Sequence, residues 1–194
     1  MMGNVSIFDN IVRGCINKDE KARKELYNLF SAPMYNLCLR FTKEKSEAED
    51  IFQDAFIKVF ENLHKLTNHN LLPGWIKRIF INTAIDSIRS KKMEYTSYKS
   101  LEYNDKIDFN SINIPDSLLE KDLMTMIDDL PIKSRTIFIL YVIEGYSHKE
   151  IAEIMKISEG TSKSQLFEAK VKLKQKIQRI ETKVFNDKPK LKIL

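Results

Sequence analysis

The chain has 194 residues, is 43% hydrophobic and 30% charged, and carries a formal net charge of +5. This composition argues against a disordered or fibrous protein and suits one medium domain or two small ones. No apolar run approaches the roughly 18 residues that a bilayer-spanning helix needs. The two cysteines, Cys15 and Cys38, sit singly in apolar patterns and fit reduced, buried thiols better than a disulfide framework.

The opening MMGNVSIFDNIVRG lacks a basic region followed by an apolar core, so no secretion signal is read and a cytoplasmic protein without membrane insertion is expected. Glycine and proline number five each, which favours helices joined by short connections. Charge is distributed unevenly: residues 1–92 net +4, residues 93–130 net −6 and residues 131–194 net +7. Two basic blocks around an acidic middle suit a two-site binder of a polyanion, or a merely solvated lysine surface.

In chain order, a first helix is expected over Ile7–Cys15 and a second over Lys21–Leu39, broken or bent near Pro33. Ser46 and Glu49 form an apparent capping box for a third. Its apolar stripe is Ala48, Ile51, Phe52, Ala55, Phe56, Val59, Phe60 and Leu63, recurring at three and four. Thr67 to Leu72 reads as an Asn-rich turn. Pro73 then opens a fourth helix through Arg89, with Ile76, Ile79, Phe80, Ala84 and Ile88 inward.

Residues 93–117 are polar, mildly acidic and aperiodic, as expected of a flexible linker between two domains. Beyond it, helices are expected over Leu118–Leu130, ending at Pro131, and Lys133–Glu144, closing at Gly145. Ser147 and Glu150 form a second capping box, opening a short helix through Met155. After a turn at Lys156 and Ile157, Ser158 caps a last helix whose inner side is Leu166, Ala169, Leu173, Ile177 and Ile180. The expected fold is all-α: an N-terminal helical bundle over 7–92, a linker, and a C-terminal helix-turn-helix domain over 118–182.

Three outer faces carry chemistry. Two short helices across a tight turn are marginal alone, but braced together they can push the second into a DNA major groove. There Ser158 and Thr161 suit phosphates, Lys163, Ser164 and Gln165 suit base edges or the backbone rim, and Lys170, Lys172, Lys174 and Lys176 extend the positive field. An ordinary helical hairpin with a solvated lysine face is the alternative.

On the third helix, Glu47, Asp50, Asp54 and Glu61 share one face with Gln53 beside them. This is either a solvated acidic stripe or a contact for a basic protein. On the fourth, Trp75, Arg78, Asn82, Asp86 and Arg89 follow at spacings of three and four. A ring beside Arg and Asn can stack on an unpaired base, with Arg89, Lys91 and Lys92 on phosphates; equally, Trp75 could be core and Asp86 could orient Arg89. The dispersed histidines His64, His69 and His148 give no metal site, no cofactor motif is visible, and no catalytic residues are read.

The segments EAEDIFQDAFIKVFENL, PGWIKRIFINTAIDSIRSKK and LPIKSRTIFILYVIEGYSHKEIAEIMKISEGTSKSQLFEAKVKL resemble the bacterial RNA polymerase sigma-70 family, specifically its small extracytoplasmic-function group. The likeness covers roughly 20–92 and 118–180. It implies a non-enzymatic protein that directs promoter-specific initiation. By the resemblance, the helix bearing Glu47, Asp50, Gln53 and Asp54 binds the polymerase clamp. Trp75, Arg78, Asn82, Asp86, Arg89, Lys91 and Lys92 belong to the segment that opens and reads the −10 element, and residues 158–170 read the −35 element. The linker would pass near the RNA exit and active-centre channels. An anti-sigma partner, often membrane-bound, is a further implication.

The family commonly has Val where this chain has Ser162, and often Arg where it has Gln165, Glu168 and Lys170. These departures bear on promoter sequence, Glu168 by removing a phosphate contact. The alternative class is a two-domain regulator binding duplex operators through the same helix pair, although no phosphoacceptor α/β domain is visible. A metal-dependent nucleic-acid enzyme would need a carboxylate set that the sequence does not present.

Overall fold

The computed structural model describes residues 7–91 and 120–186. The expected linker 93–117 lies outside them, as do Lys92 and Leu118. The chain divides into two compact units, Met1–Ser97 and Tyr98–Leu194. Among the described residues every regular element is helical.

In the first unit α1 spans Asp9–Ile16, α2 Glu20–Phe41, α3 Lys45–Asn62 and α4 Leu72–Lys91, with short 3₁₀ turns at Leu63–Lys65 and His69–Leu71. Asp19 caps α2, its carboxylate accepting from the Lys21 amide at 2.8 Å. The helix then runs through Pro33 without the expected break. Pro33 is exposed, and Phe30, Met34 and Leu37 on either side are buried. The core contacts outweigh the one backbone bond that proline removes.

Ser46 does not cap α3. The helix starts one residue earlier, with Glu44 in the extended capping position and no side-chain cap. Glu49 instead approaches the Tyr35 hydroxyl at 3.4 Å and Lys45 at 3.6 Å. The α4 register also differs slightly from expectation. Leu72, Ile76, Phe80, Ile81, Ala84 and Ile85 are buried, while Ile79 and Ile88 are half-buried at the margin.

An aromatic cluster locks α2, α3 and α4 together. Phe56 meets Phe80 edge-on with centroids 5.2 Å apart, Phe52 lies 4.9 Å from Phe56, and Tyr27 of α2 lies 4.9 Å from Phe56. Such pairs contribute about 0.5–1.5 kcal/mol each beyond their buried area. Cys15 and Cys38 are buried and free. Burial pushes their thiols up to about 11 and about 12, so both are protonated and unreactive at neutral pH.

In the second unit α5 spans Glu120–Asp128 and α6 Ile132–Phe138, running on into a π turn over Ile139–Ile143. The expected helix Lys133–Glu144 therefore has the right extent but a wide last turn. The Glu144 amide reaches back to the Ile139 carbonyl at 2.9 Å, and Gly145 closes it at φ 78°. Arg135 is 1% exposed, with Nη1 3.5 Å from Asp128 of α5. A buried guanidinium requires such a counter-charge.

Next come α7, His148–Met155, and α8, Glu159–Asn186, which runs beyond Ile180, the last inward position expected. Leu166, Ala169, Leu173 and Ile177 are buried along it as the periodicity predicts. No described helix is long and apolar enough to cross a membrane.

Gly14 marks a close approach of α1 to α2, since a Cβ there would lie 2.5 Å from the Ala22 Cβ. Gly14→Ala should therefore destabilise the first unit by about 1–3 kcal/mol. Gly74→Ala, whose Cβ would meet nothing within 4 Å, should be neutral or stabilising by up to about 1 kcal/mol. Denaturant unfolding of both variants checks this, and equal losses would contradict the packing described.

Candidate protein and nucleic-acid interfaces

The outer face of α3 is acidic and has an apolar centre. Asp50, Gln53, Asp54 and Glu61 are exposed and Glu47 is half-exposed, while Ile57, in the same stripe, is 55% exposed. Lys58 has the spacing to neutralise Asp54, but its ammonium donates to Thr83 of α4 at 3.2 Å. Lys45 serves Glu49 rather than the stripe. Asp50 and Asp54 thus have no ion-pair partner among the described residues. Uncompensated carboxylates around an exposed isoleucine match a partner with basic groups around an apolar notch better than a solvated face. The sequence reading missed Ile57, although its spacing from Gln53 and Asp54 carried the signal.

The row on α4 stands outward. Arg78, Asn82 and Asp86 are exposed, and Trp75 and Arg89 are intermediate, so Trp75 is neither fully core nor fully free. Arg89 donates to Asp86 at 3.2 Å, the local pairing expected of them. Asn82 and Arg78 make no hydrogen bond among the described residues, leaving an open amide and guanidinium side by side. Lys91 ends the helix.

The approach to α4 is anchored from far away in sequence. Asp9 of α1 and His69 lie 2.6 Å apart, 19% and 17% exposed. The Asn68 side chain accepts from the Asn70 amide at 3.1 Å. This clasp joins residues 60 apart and fixes the turn that launches the Trp75 face; no local sequence pattern announces it.

In the second unit the helix pair is built by its caps. Ser147 and Glu150 form a full capping box on α7, and Lys156 takes the left-handed conformation at φ 54° that makes the tight turn. The Ser158 hydroxyl accepts from the Thr161 amide at 3.0 Å and pairs with the Thr161 hydroxyl at 2.9 Å. Ser158, Thr161 and Lys163 are exposed, and Ser164 and Lys170 are intermediate; Ser164 donates to the Thr161 carbonyl at 3.1 Å. The first turn of α8 thus presents hydroxyls, a lysine and helix-start amides together, which suits phosphate.

Gln165 does not stand with them. Buried Ser134 of α6 donates to its Oε1 at 3.0 Å, and its amide donates to Glu168 at 3.1 Å. Its Oε1 and one amide hydrogen are held within the unit, where they satisfy a buried hydroxyl on another helix and a neighbouring carboxylate. Glu168 is 19% exposed and pairs with Lys172 at 2.7 Å, so its charge is compensated rather than presented to DNA. Lys176 is tied to Asp129 at 2.6 Å, which leaves fewer outward cations than the sequence suggested.

Ser162 is fully buried, and its hydroxyl lies 2.9 Å from Nδ1 of His148. Tyr141 stacks on the imidazole at 4.4 Å. Burial, then Lys163 and Lys170 against the opposing Glu159, holds the His148 pKa below its ordinary value.

Comparison with known proteins follows this division. The family model for sigma-70 region 2 matches residues 26–93, and that for sigma-70 region 4 matches residues 120–173. The ECF RNA polymerase sigma factor SigM of Bacillus subtilis is 31% identical over 152 residues, which cover 77% of this chain and 91% of SigM. SigW of the same organism, also an ECF RNA polymerase sigma factor, is 28% identical over 169 residues, covering 82% and 90%. The fold is similar to that of the sigma factor RpoE from Bartonella quintana, solved in complex with the anti-sigma factor NepR. The TM-score is 0.51 at 19% identity, over 81% of this chain and 97% of that one.

Ser158→Ala should cost the second unit about 1 kcal/mol, since it removes the α8 cap. Thermal unfolding of the full chain, followed by a probe in that unit, checks the value; an unchanged transition would contradict the cap.

Proposed function

The chain belongs to the sigma-70 family as an ECF RNA polymerase sigma factor, and from that premise we propose how its two units divide the work. It binds core RNA polymerase and promoter DNA and directs promoter-specific initiation. The first unit, assigned to residues 7–92, uses Glu47, Asp50, Gln53 and Asp54 with Ile57 to hold the polymerase clamp. Asp50 and Asp54, without an ion-pair partner among the described residues, beside the exposed Ile57 are the observation that carries this assignment.

The α4 row engages the −10 element. Trp75 offers a stacking edge, Asn82 hydrogen-bonds an unstacked base, and Arg78, Arg89, Lys91 and Lys92 meet backbone phosphate. Asp86 orients Arg89. Unstacking costs a few kcal/mol per step, and base capture with phosphate contacts offsets it. The second unit, assigned to 118–182, holds −35 duplex through Ser158, Thr161, Lys163, Ser164 and Lys170, with Gln165 supporting the helix from within. Residues 93–117 tether the two.

The chemistry of such exchange is non-covalent, so the protein acts without catalysis or a cofactor of its own, in the cytoplasm where polymerase meets the chromosome. The acidic, partly apolar α3 face is also available to a competing anti-sigma protein, membrane-bound or soluble.

Two variants separate the assignments. Asp50→Lys with Asp54→Lys should lower affinity for core polymerase at least tenfold, about 1.4 kcal/mol, as read by co-elution. Asn82→Ala should leave core binding intact and reduce promoter opening about ten- to hundredfold, an amide–base contact being worth about 1–3 kcal/mol. Thymine reactivity in the −10 region reads the opening. Undiminished core binding in the first variant, or undiminished opening in the second, would reject the corresponding assignment.

A further inference from the structure

Tyr141 of the π turn, His148 at the start of α7 and Ser162 in the first turns of α8 meet at one point. The imidazole stacks on Tyr141 at 4.4 Å with 23° between planes, and its Nδ1 lies 2.9 Å from the Ser162 hydroxyl. Ser162 is fully buried. A buried hydroxyl is costly unless bonded, and His148 is the group that bonds it. Three successive elements are therefore pinned where α8 emerges.

Charged groups surround the ring. Lys163 and Lys170 of α8 oppose a positive imidazole and Glu159 favours one. The ring also sits at the positive end of α7, and Tyr141 covers one face. Burial, the largest effect, adds to the two lysines in disfavouring the charged imidazole, so the His148 pKa lies below its ordinary value.

We propose that His148 is a positioning residue for −35 recognition, setting the start of α8 through Ser162, and that phosphate arriving at Lys163 and Lys170 draws a proton onto its imidazole. This rests on the assignment of α8 to −35 duplex. Phosphate neutralises the two lysines and adds negative potential, and both effects favour the imidazolium. The contact survives the proton, because a charged ring donates from Nδ1 to a hydroxyl oxygen that can always accept.

The sign follows from linkage. The bound-state pKa is raised above the free value, so the added affinity is full below the free pKa and is lost as pH rises through the bound one. The free value lies below the ordinary imidazole value, so the gain develops on the acid side of neutrality. One proton gives at most about tenfold per pH unit.

The test uses polymerase reconstituted with the full chain, bound to promoter fragments with an intact or scrambled −35 element at about pH 8 and about pH 6. With the native chain, preference for the intact element should rise about three- to tenfold on acidification. His148→Gln can still reach Ser162 but cannot titrate, and its preference should stay flat. Ser162→Ala keeps a small buried side chain, and should lower the preference about threefold or more at both pH values with core affinity unchanged. Equal pH slopes for the native chain and His148→Gln would overturn the proton linkage, and a native preference in Ser162→Ala would overturn the positioning role. If the native chain shows no preference for an intact −35 element, the assignment of α8 itself fails and takes this proposal with it.

Discussion

The rotation of α3 about its own axis determines what the first unit can present, and an aromatic wedge sets that rotation. Phe52 and Phe56 both close on Phe80 of α4, at 5.9 and 5.2 Å, while Tyr27 and Tyr35 of α2 pack against the same pair of rings. With these rings inward, Asp50, Gln53, Asp54 and Ile57 are turned out together. The same contact seats Phe80 and so turns Asn82 and Arg78 to solvent on α4. A single packing choice therefore exposes two surfaces of opposite chemistry, one acidic and partly apolar, the other aromatic, amide and basic. Lys58 reinforces the separation by reaching Thr83 rather than neutralising the stripe.

The second unit follows a different logic. Its helices are short apart from α8, and buried polar contacts supplement its apolar core. Arg135 faces Asp128, Ser134 bonds Gln165 and Glu168, and Ser162 meets His148. Buried polar networks cost more than apolar packing when incomplete and fix geometry when satisfied. That property would serve the groove-entering role proposed for α8.

The fold was largely legible because its signals are local. The Ser147–Glu150 capping box, Gly145 and the stripe from Leu166 to Ile177 all depend on residues within about three turns of one another. The same kind of motif at Ser46 and Glu49 misled, because the backbone entry into α3 and the neighbouring Tyr35 decide where Glu49 points. Pro33 misled in the opposite sense, since buried neighbours carry the helix through it. The outward faces of α3 and α4 could be read from periodicity, yet which charges are already spent could not. Gln165 is consumed by Ser134, 31 residues away, and Asp9 clasps His69, 60 residues away. Such pairs are set by tertiary approach, which leaves no spacing in the sequence.

On the proposed assignment, the α3 face meets polymerase, the α4 row meets an unstacked strand and the α7–α8 pair meets duplex DNA. That assignment has polymerase and both DNA elements engaged by the same molecule. The most direct measurement is the mapping of transcript starts from core polymerase on a template library with randomised upstream DNA, with and without the purified chain. The account predicts a new set of starts that share two upstream motifs at near-constant separation. Identical starts in both reactions would contradict it.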